Sequence, residues 1–215
     1  MKVGILGSGD VGKALGTGFV TLGHEVRLGS RTAGNPKAAE WAERTHGKGS
    51  TGTFAEAAQF GEVVVLATLG VATPEAIRLA GPANFDGKVV IDATNPLAFS
   101  AQGAPSLTVG HTSSAGEVHQ KAPPKAHVVK AFNIVNNTLF FRPSLAQGPP
   151  TMFICGNDAG AKKKVESILH DFGWPNVLDV GGIEGSRELE SLCILWVKSA
   201  SALGDFQIAF KLLRK

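Results

Sequence analysis

The fold is decided by the opening stretch of the chain, Lys2-Val3-Gly4-Ile5-Leu6-Gly7-Ser8-Gly9-Asp10-Val11-Gly12. Residues 2–6 form a short apolar run that predicts a buried strand, and three glycines follow it at the spacing G-x-G-x-x-G. The apolar positions from Ala14 to Leu22 have helical spacing, and Glu25–Leu28 predicts a second strand. Strand, glycine turn, helix and strand within about thirty residues are typical of the first unit of a parallel α/β sheet.

Each glycine of the turn has a physical role in such a unit. Gly7 permits the tight turn, Gly9 lets the backbone approach a pyrophosphate, and Gly12 lets the helix pack on the strand. The amides at the helix N-terminus then face the phosphates of a dinucleotide. The alternative is a glycine-rich turn with no ligand. We predict cofactor contacts along the whole turn, at Gly7, Ser8, Gly9, Asp10, Val11 and Gly12.

The second strand ends in Leu28-Gly29-Ser30-Arg31-Thr32, without a carboxylate. Enzymes that prefer NAD place Asp or Glu there to bind the ribose hydroxyls. Arg31 can pair with the 2′-phosphate of NADP(H), Ser30 can donate a hydrogen bond, and Lys37 can add positive charge. The sequence therefore favours NADP(H) over NAD(H), the alternative being an arginine that is merely on the surface.

Further apolar runs, rich in Val and Ile, alternate with helical patterns along the chain. Such alternation predicts an α/β fold of the Rossmann type, a doubly wound, mainly parallel sheet of about seven or eight strands. Residues 97–112 are predicted to be a loop. The later strands are predicted at 63–67, 88–92, 127–132, 151–155 and 177–180, and helices at 36–46, 54–60, 113–121 and 158–172, with one more opening at Thr73.

The C-terminal segment differs from the rest in being largely apolar. We predict a Rossmann domain over residues 1–185 and a short helical element over residues 186–215, mostly helical from 186 to 213. Exposing so much apolar surface to water is unfavourable, so we expect this element to pack on the domain or on the partner in a homodimer. The side chains concerned are Leu192, Leu195, Trp196, Leu203, Phe206, Ile208, Phe210, Leu212 and Leu213.

Composition argues against several classes of protein. The formal net charge is +3, with 43% hydrophobic and 18% charged residues, which is ordinary for a globular protein and offers no basic run to nucleic acid. With no signal peptide or membrane-spanning run in the sequence, a cytoplasmic protein is expected. Cys155 and Cys193 stand in apolar runs and are interpreted as core, without a disulfide or a metal site. His111 and His119 flank a loop that could reach the site, although we expect both to be exposed.

Polar residues follow two predicted strands, at the edge where open α/β sheets bind ligands. Asn95-Pro96 follows the strand at 88–92, and Asn133 follows the strand at 127–132. An amide at this edge can bind ribose or carboxamide groups. The alternative for both positions is a turn with no ligand.

Four blocks of the sequence together resemble the NADPH:coenzyme F-420 oxidoreductase family and the cytosolic domain of the STEAP-type ferric reductases. The blocks are residues 2–12, Gly29-Ser30-Arg31, Val128–Asn133 and Ile154–Asp158, and the likeness extends over nearly the whole chain. The resemblance implies that NADP(H) lies on the glycine turn. It places Ser8, Ser30, Arg31 and Lys37 around the 2′-phosphate, and the nicotinamide near Asn95, Pro96, Ala131 and Asn133. Thr68 and Leu69, after the strand at 63–67, complete the predicted cofactor contacts.

The resemblance also implies hydride transfer between NADP(H) and a second redox cofactor, coenzyme F-420 or a flavin such as FMN or FAD. Where this chain has Asn133 and Asn136, the deazaflavin enzymes tend to carry His and Pro, so the acceptor stays open. Transfer between two rings needs alignment and exclusion of water rather than a strong acid or base, and no catalytic residue is predicted. One alternative is a reductase of a small imine or keto acid, which a buried Lys or His beside the nicotinamide would favour. The other is a dinucleotide-binding regulatory protein without turnover.

Overall fold

Eight strands form one central sheet in the computed structural model, which describes residues 1–99, 105–109 and 113–215. They lie in the order β10-β9-β8-β5-β4-β1-β2-β3, and among these described strands every neighbouring pair is parallel except β8 with β9. The prediction of a doubly wound, mainly parallel sheet is confirmed. The strands are β1 (Lys2–Leu6), β2 (Glu25–Ser30), β3 (Gly49–Thr53), β4 (Val63–Leu66), β5 (Val89–Asp92), β6 (Leu97–Ala98), β7 (Ser106–Leu107), β8 (His127–Lys130), β9 (Thr151–Gly156) and β10 (Asn176–Asp179).

The helices cover both faces of the sheet because alternate residues of each central strand point to opposite sides. Val3 and Ile5 belong to one core with Phe19, whereas Leu6 belongs to a second core with Ile77. All four residues of β4 are buried, which explains why its sequence is a continuous apolar run. The helices are α1 (Asp10–Thr21), α2 (Pro36–Glu43), α3 (Phe54–Phe60), α4 (Thr73–Ala80), α5 (Ala115–Lys121), α6 (Ala159–Asp171) and α7 (Ser186–Leu203).

Three short strands, in two places, depart from the sequence prediction. β3 was not predicted, because its sequence GSTGT is small and polar, and it lies at the edge of the sheet beside β2. The prediction of a loop over 97–112 is wrong at β6 and β7, which pair in an antiparallel hairpin. The Thr108 amide donates to the Pro96 carbonyl at 2.8 Å and closes that hairpin. Such pairing depends on hydrogen bonds between segments that have no strong β pattern of their own.

The C-terminal tail is the third departure. Helix α7 ends at Leu203, and Gly204 takes a left-handed conformation with φ of 64° that stops it. Helix was predicted to residue 213, which is wrong after Leu203. The tail runs beside β9 instead, since the Thr151 amide donates to the Phe210 carbonyl at 2.9 Å. Its apolar residues at 206, 208, 210 and 212 alternate with period two, a pattern that does not suit a helix.

Candidate cofactor site

The glycine turn between β1 and α1 leaves open space in front of the helix. Gly7 has φ of 133°, and a Cβ there would lie 2.3 Å from the carbonyl oxygen of Ala67. A Cβ at Gly12 would lie 2.0 Å from the carbonyl oxygen of Gly7. By contrast, a Cβ at Gly9 would meet no described atom within 4 Å. The fold therefore requires Gly7 and Gly12, whereas at Gly9 the missing side chain leaves room of the kind a pyrophosphate needs.

This turn opens into a cleft of about 930 Å³ at the carboxyl ends of β1, β2 and β4, a volume within the usual range of cofactor sites. The cleft brings together Gly7, Ser8, Gly9, Asp10, Val11, Ser30, Arg31, Thr68 and Leu69, all of which the sequence predicted as contacts. Among the described residues, the predicted contacts that do not line it are Gly12, Lys37, Asn95, Pro96, Ala131 and Asn133.

The end of β2 forms the part of the cleft where a 2′-phosphate was predicted. Ser30 is buried, and its Oγ donates to the carbonyl of Thr32 at 2.7 Å, so the hydroxyl proton shapes the turn rather than facing the cleft. Arg31 is exposed at the cleft. Asn35 caps the next helix, α2, by accepting a hydrogen bond from the Ala38 amide. Arg31 and the N-terminus of α2 thus give this end a positive potential.

A pair of asparagine side chains joins the ends of β5 and β8. Asn95 Nδ2 donates to the Asn133 carbonyl at 2.7 Å, and Asn133 Nδ2 donates to Asn95 Oδ1 at 2.9 Å and to the Leu189 carbonyl at 3.0 Å. Because Nδ2 must face these acceptors, the orientation of the Asn133 amide is fixed. Its Oδ1 is the one buried side-chain oxygen or nitrogen, within the described ranges, that lacks a hydrogen-bond partner. Ala131 is fully buried, so it supports this region rather than lining it.

Behind the asparagine pair lies a buried ionic cluster of Asp92, His119, Lys130 and Glu190, all 0% exposed. Lys130 Nζ lies 2.8 Å from Glu190 Oε1 and 3.2 Å from Asp92 Oδ2, and it donates to the Thr94 carbonyl at 2.9 Å. Glu190 also accepts hydrogen bonds from the first two backbone amides of α5. The cluster therefore ties α5 and α7 to the ends of β5 and β8.

His119 completes the cluster. Its Nδ1 lies 2.8 Å from Asp92 Oδ2, and its Nε2 lies 3.3 Å from the carbonyl oxygen of Gly70. Both partners are hydrogen-bond acceptors, and together they fix the orientation of the ring. The expectation that His119 is exposed is wrong, because a carboxylate and a carbonyl take it into the core, and His111 lies outside the described residues.

The charges of the cluster stabilise one another. Burial by itself would raise the pKa of Asp92, but Lys130 and His119 outweigh burial and hold that pKa well below its ordinary value. Burial by itself would lower the pKa of Lys130, and Asp92 and Glu190 raise it above its ordinary value. Asp92 and Lys130 therefore stay ionised at neutral pH.

Other chemistry has little support at this site. Burial raises the pKa of Cys155 to about 12 and that of Cys193 to about 11, so neither thiol is a ready nucleophile. Within residues 1–99, 105–109 and 113–215, no group of three or more His, Cys, Asp and Glu side chains could hold a metal ion. The part of the chain that the structure describes contains no helix long and apolar enough to cross a membrane.

Comparison with known proteins shows to which family the chain belongs. Residues 2–96 match the family described as NADP oxidoreductase, coenzyme F420-dependent. The crystal structure of a candidate F420-dependent NADP-reductase from Arthrobacter sp. FB24 is 36% identical, covers 100% of both chains and has a TM-score of 0.93. The chain belongs to this family. It is an NADP-dependent oxidoreductase, as the resemblance implied.

Two further proteins are similar to this chain at lower identity. Metalloreductase STEAP3 of Rattus norvegicus is 31% identical over 195 residues, which are 89% of this chain and 36% of STEAP3. The chain thus spans about a third of that relative. A reductive aminase from Aspergillus terreus, in complex with NADPH and ethyl-5-oxohexanoate, is 18% identical with a TM-score of 0.66, over 94% of this chain and 62% of that one. At such identity the likeness shows the fold alone.

Sequence reasoning missed two sets of residues in this NADP oxidoreductase. The wall of the cleft that α4 forms, including Glu75 and Leu79, carries no motif that would have revealed it. The ionic cluster left a weak signal, since Asp92 and Lys130 are charged residues at the ends of apolar strands. A charge in that position is either exposed or paired, and the partner on α7 was not predictable from spacing.

Proposed function

We propose that this enzyme transfers a hydride between NADP(H) and a second planar redox cofactor, coenzyme F-420 or a flavin such as FMN or FAD. The observation that carries the proposal is the burial and the hydrogen bonding of Lys130 and His119. Both are fully buried, and their N–H groups are engaged by Asp92, Glu190 and carbonyl oxygens. The buried Lys and His at this end of the sheet are therefore bonded to the protein itself and do not line the cleft.

The residues of the cleft fit NADP(H). The open space at Gly9 and the N-terminus of α1 suit the pyrophosphate, and Arg31 suits the 2′-phosphate. Outside the cleft, Asn133 Oδ1 is a buried acceptor without a partner, which suits the carboxamide amine of a nicotinamide. Bound NADPH supplies a hydride to the acceptor ring.

The acceptor ring needs an apolar surface that keeps water away from the transferring hydride. Leu69 and Val71 lie in the turn between β4 and α4 and are 62% and 54% exposed. These two side chains would cover one face of the acceptor ring, and Leu69 also lines the cleft. Alignment of two rings is the main requirement for this transfer, since a hydride moves without an acid or base.

A reductase of an imine or keto acid would need a positioned proton donor. Lys130 and His119 are the buried Lys and His that would favour it, but Lys130 Nζ already has Thr94, Asp92 and Glu190 as partners. The cluster therefore has a structural explanation, and the hydride-transfer proposal stands ahead of this alternative.

Anaerobic stopped-flow absorbance tests the proposal. The protein is mixed with NADPH and, in separate runs, coenzyme F-420, FMN, FAD, a cyclic imine and a keto acid. We expect fast oxidation of NADPH with at least one of the ring cofactors. Turnover with the imine or keto acid alone would overturn the proposal in favour of the reductase. Tight NADPH binding with no turnover in any run would favour a regulatory protein.

A further inference from the structure

One wall of the cleft consists of a single face of α4 and the turn before it. Ala72, Glu75, Ala76 and Leu79 are spaced by three and four residues, so they share one face, and all of them line the cleft. Ala72, Ala76 and Leu79 are apolar. Glu75 places a carboxylate among them, in a cleft that is expected to hold a ligand with several negative charges.

Arg78 fixes the position of this carboxylate. Its Nε donates to Glu75 Oε2 and its Nη2 donates to Glu75 Oε1, each at 2.6 Å, in a two-pronged arrangement. The hydrogen bond from Arg78 holds the pKa of Glu75 below its ordinary value, so the group is an anion at neutral pH. Each carboxylate oxygen can still accept a further hydrogen bond. Arg78 itself is not among the described residues that line the cleft.

A carboxylate at the cleft repels a phosphate, so it suits a part of the ligand that carries a hydrogen-bond donor. In the proposed function, the glycine turn and Arg31 bind the phosphates. The three apolar neighbours of Glu75 suit the face of a flat base, and the exocyclic amine of adenine is the hydrogen-bond donor on that base. A carbonyl oxygen in the same place, as in hypoxanthine, would face the carboxylate acceptor to acceptor.

We propose that Glu75 determines the base specificity of the cleft by accepting a hydrogen bond from the exocyclic amine of adenine. The inference rests on the proposed function, in which the cleft binds NADP(H). Glu75 acts on recognition of the distal base and takes no part in hydride transfer.

The test compares NADP⁺ with nicotinamide hypoxanthine dinucleotide phosphate, in which a carbonyl replaces the amine, by calorimetric titration. The wild type should bind NADP⁺ about tenfold or more tightly than the hypoxanthine analogue, since one charge-assisted hydrogen bond is lost and an acceptor pair is created. Glu75→Gln can donate to the carbonyl, and Glu75→Ala removes the acceptor. Both variants should bind the two dinucleotides within about threefold of each other.

The matched control is Glu40→Gln, which breaks an exposed pair with Arg44 on α2 and should keep the wild-type preference. If the wild type binds both dinucleotides equally, or if both Glu75 variants keep the full preference for NADP⁺, the role of Glu75 is refuted while the proposed function stands. If the folded wild type binds neither dinucleotide, the proposed function itself fails.

Discussion

Replacing Lys130 with methionine tests whether the buried ionic cluster is a balanced set of charges. The Lys130 side chain is fully buried, with Glu190 Oε1 at 2.8 Å and Asp92 Oδ2 at 3.2 Å. Methionine is of similar length, so little cavity is created and the loss is electrostatic. The carboxyl groups of Asp92 and Glu190 would lose the ammonium group that lies between them. Removing one partner of a buried ion pair costs about 3–5 kcal/mol, a large part of the roughly 5–15 kcal/mol that stabilises a folded domain.

Urea unfolding followed by tryptophan fluorescence measures this loss, because Trp41, Trp174 and Trp196 are all buried. We expect the free energy of unfolding to fall by about 3–5 kcal/mol for Lys130→Met. The control Lys198→Met changes an exposed lysine of α7 and should alter it by less than about 0.5 kcal/mol. Adding Glu190→Gln to Lys130→Met should recover part of the loss, since one uncompensated charge disappears. A loss below about 1 kcal/mol for Lys130→Met would refute the reasoning, because burial of unpaired carboxylates would then carry no penalty.

Four further predictions concern cofactor binding, stability at acid pH and assembly. Gly9→Val should abolish binding of either dinucleotide, because its side chain would fill the space proposed for the pyrophosphate. The circular dichroism spectrum should stay unchanged, because a Cβ there meets no described protein atom within 4 Å; retained micromolar affinity would mean that the pyrophosphate does not lie at Gly9. Arg31→Ala should weaken NADPH binding by about 1–3 kcal/mol and leave NADH binding unchanged in calorimetric titration, and equal losses would contradict the NADP preference. Because the pKa of Asp92 is lowered in the folded state, its contribution to stability is complete above the unfolded-state pKa of 3.8. The urea concentration at the unfolding midpoint should therefore decrease as the pH drops below about 4, and decrease less steeply in Asp92→Asn; parallel plots of midpoint against pH would count against the cluster. We expect a homodimer through exposed apolar side chains of α7 and the tail, and sedimentation of the full chain and of a chain ending at Gly204 tests it; a full-length monomer with normal turnover would exclude it. These side chains are Leu195, Leu203, Phe206, Leu212 and Leu213.

The first half of the site was predictable because its determinants are local. Gly7, Gly9 and Gly12 lie within one turn, and Ser30-Arg31 follows the next strand, so spacing alone brings them to one edge of the sheet. The same holds for β1 and β4, whose apolar runs are long enough to identify. β3 could not be predicted in this way, because an edge strand of glycine, serine and threonine carries little hydrophobic pattern.

The rest of the site depends on contacts between distant parts of the chain. Asp92 and His119 are 27 residues apart, and Glu190 reaches the cluster from the last helix. No periodicity links such residues, and a histidine in a polar segment was expected to be exposed. The tail was misjudged for a related reason, since its apolar residues were counted without regard to their period. Where the partner of a side chain lies far along the sequence, only the three-dimensional structure shows whether that side chain is buried.

The capping of α5 by Glu190 has a consequence for the motions of the protein. Amide hydrogens in the first turn of a short helix normally exchange rapidly with solvent, because helix ends fray. Those of Ala115 and Gly116 instead donate to Glu190 of α7 at 3.0 and 3.1 Å, across 75 and 74 residues of sequence. Deuterium can replace them when α5 and α7 separate, so both helices should open as one cooperative unit. The exchange rates of these two amides therefore report how often the two helices come apart together.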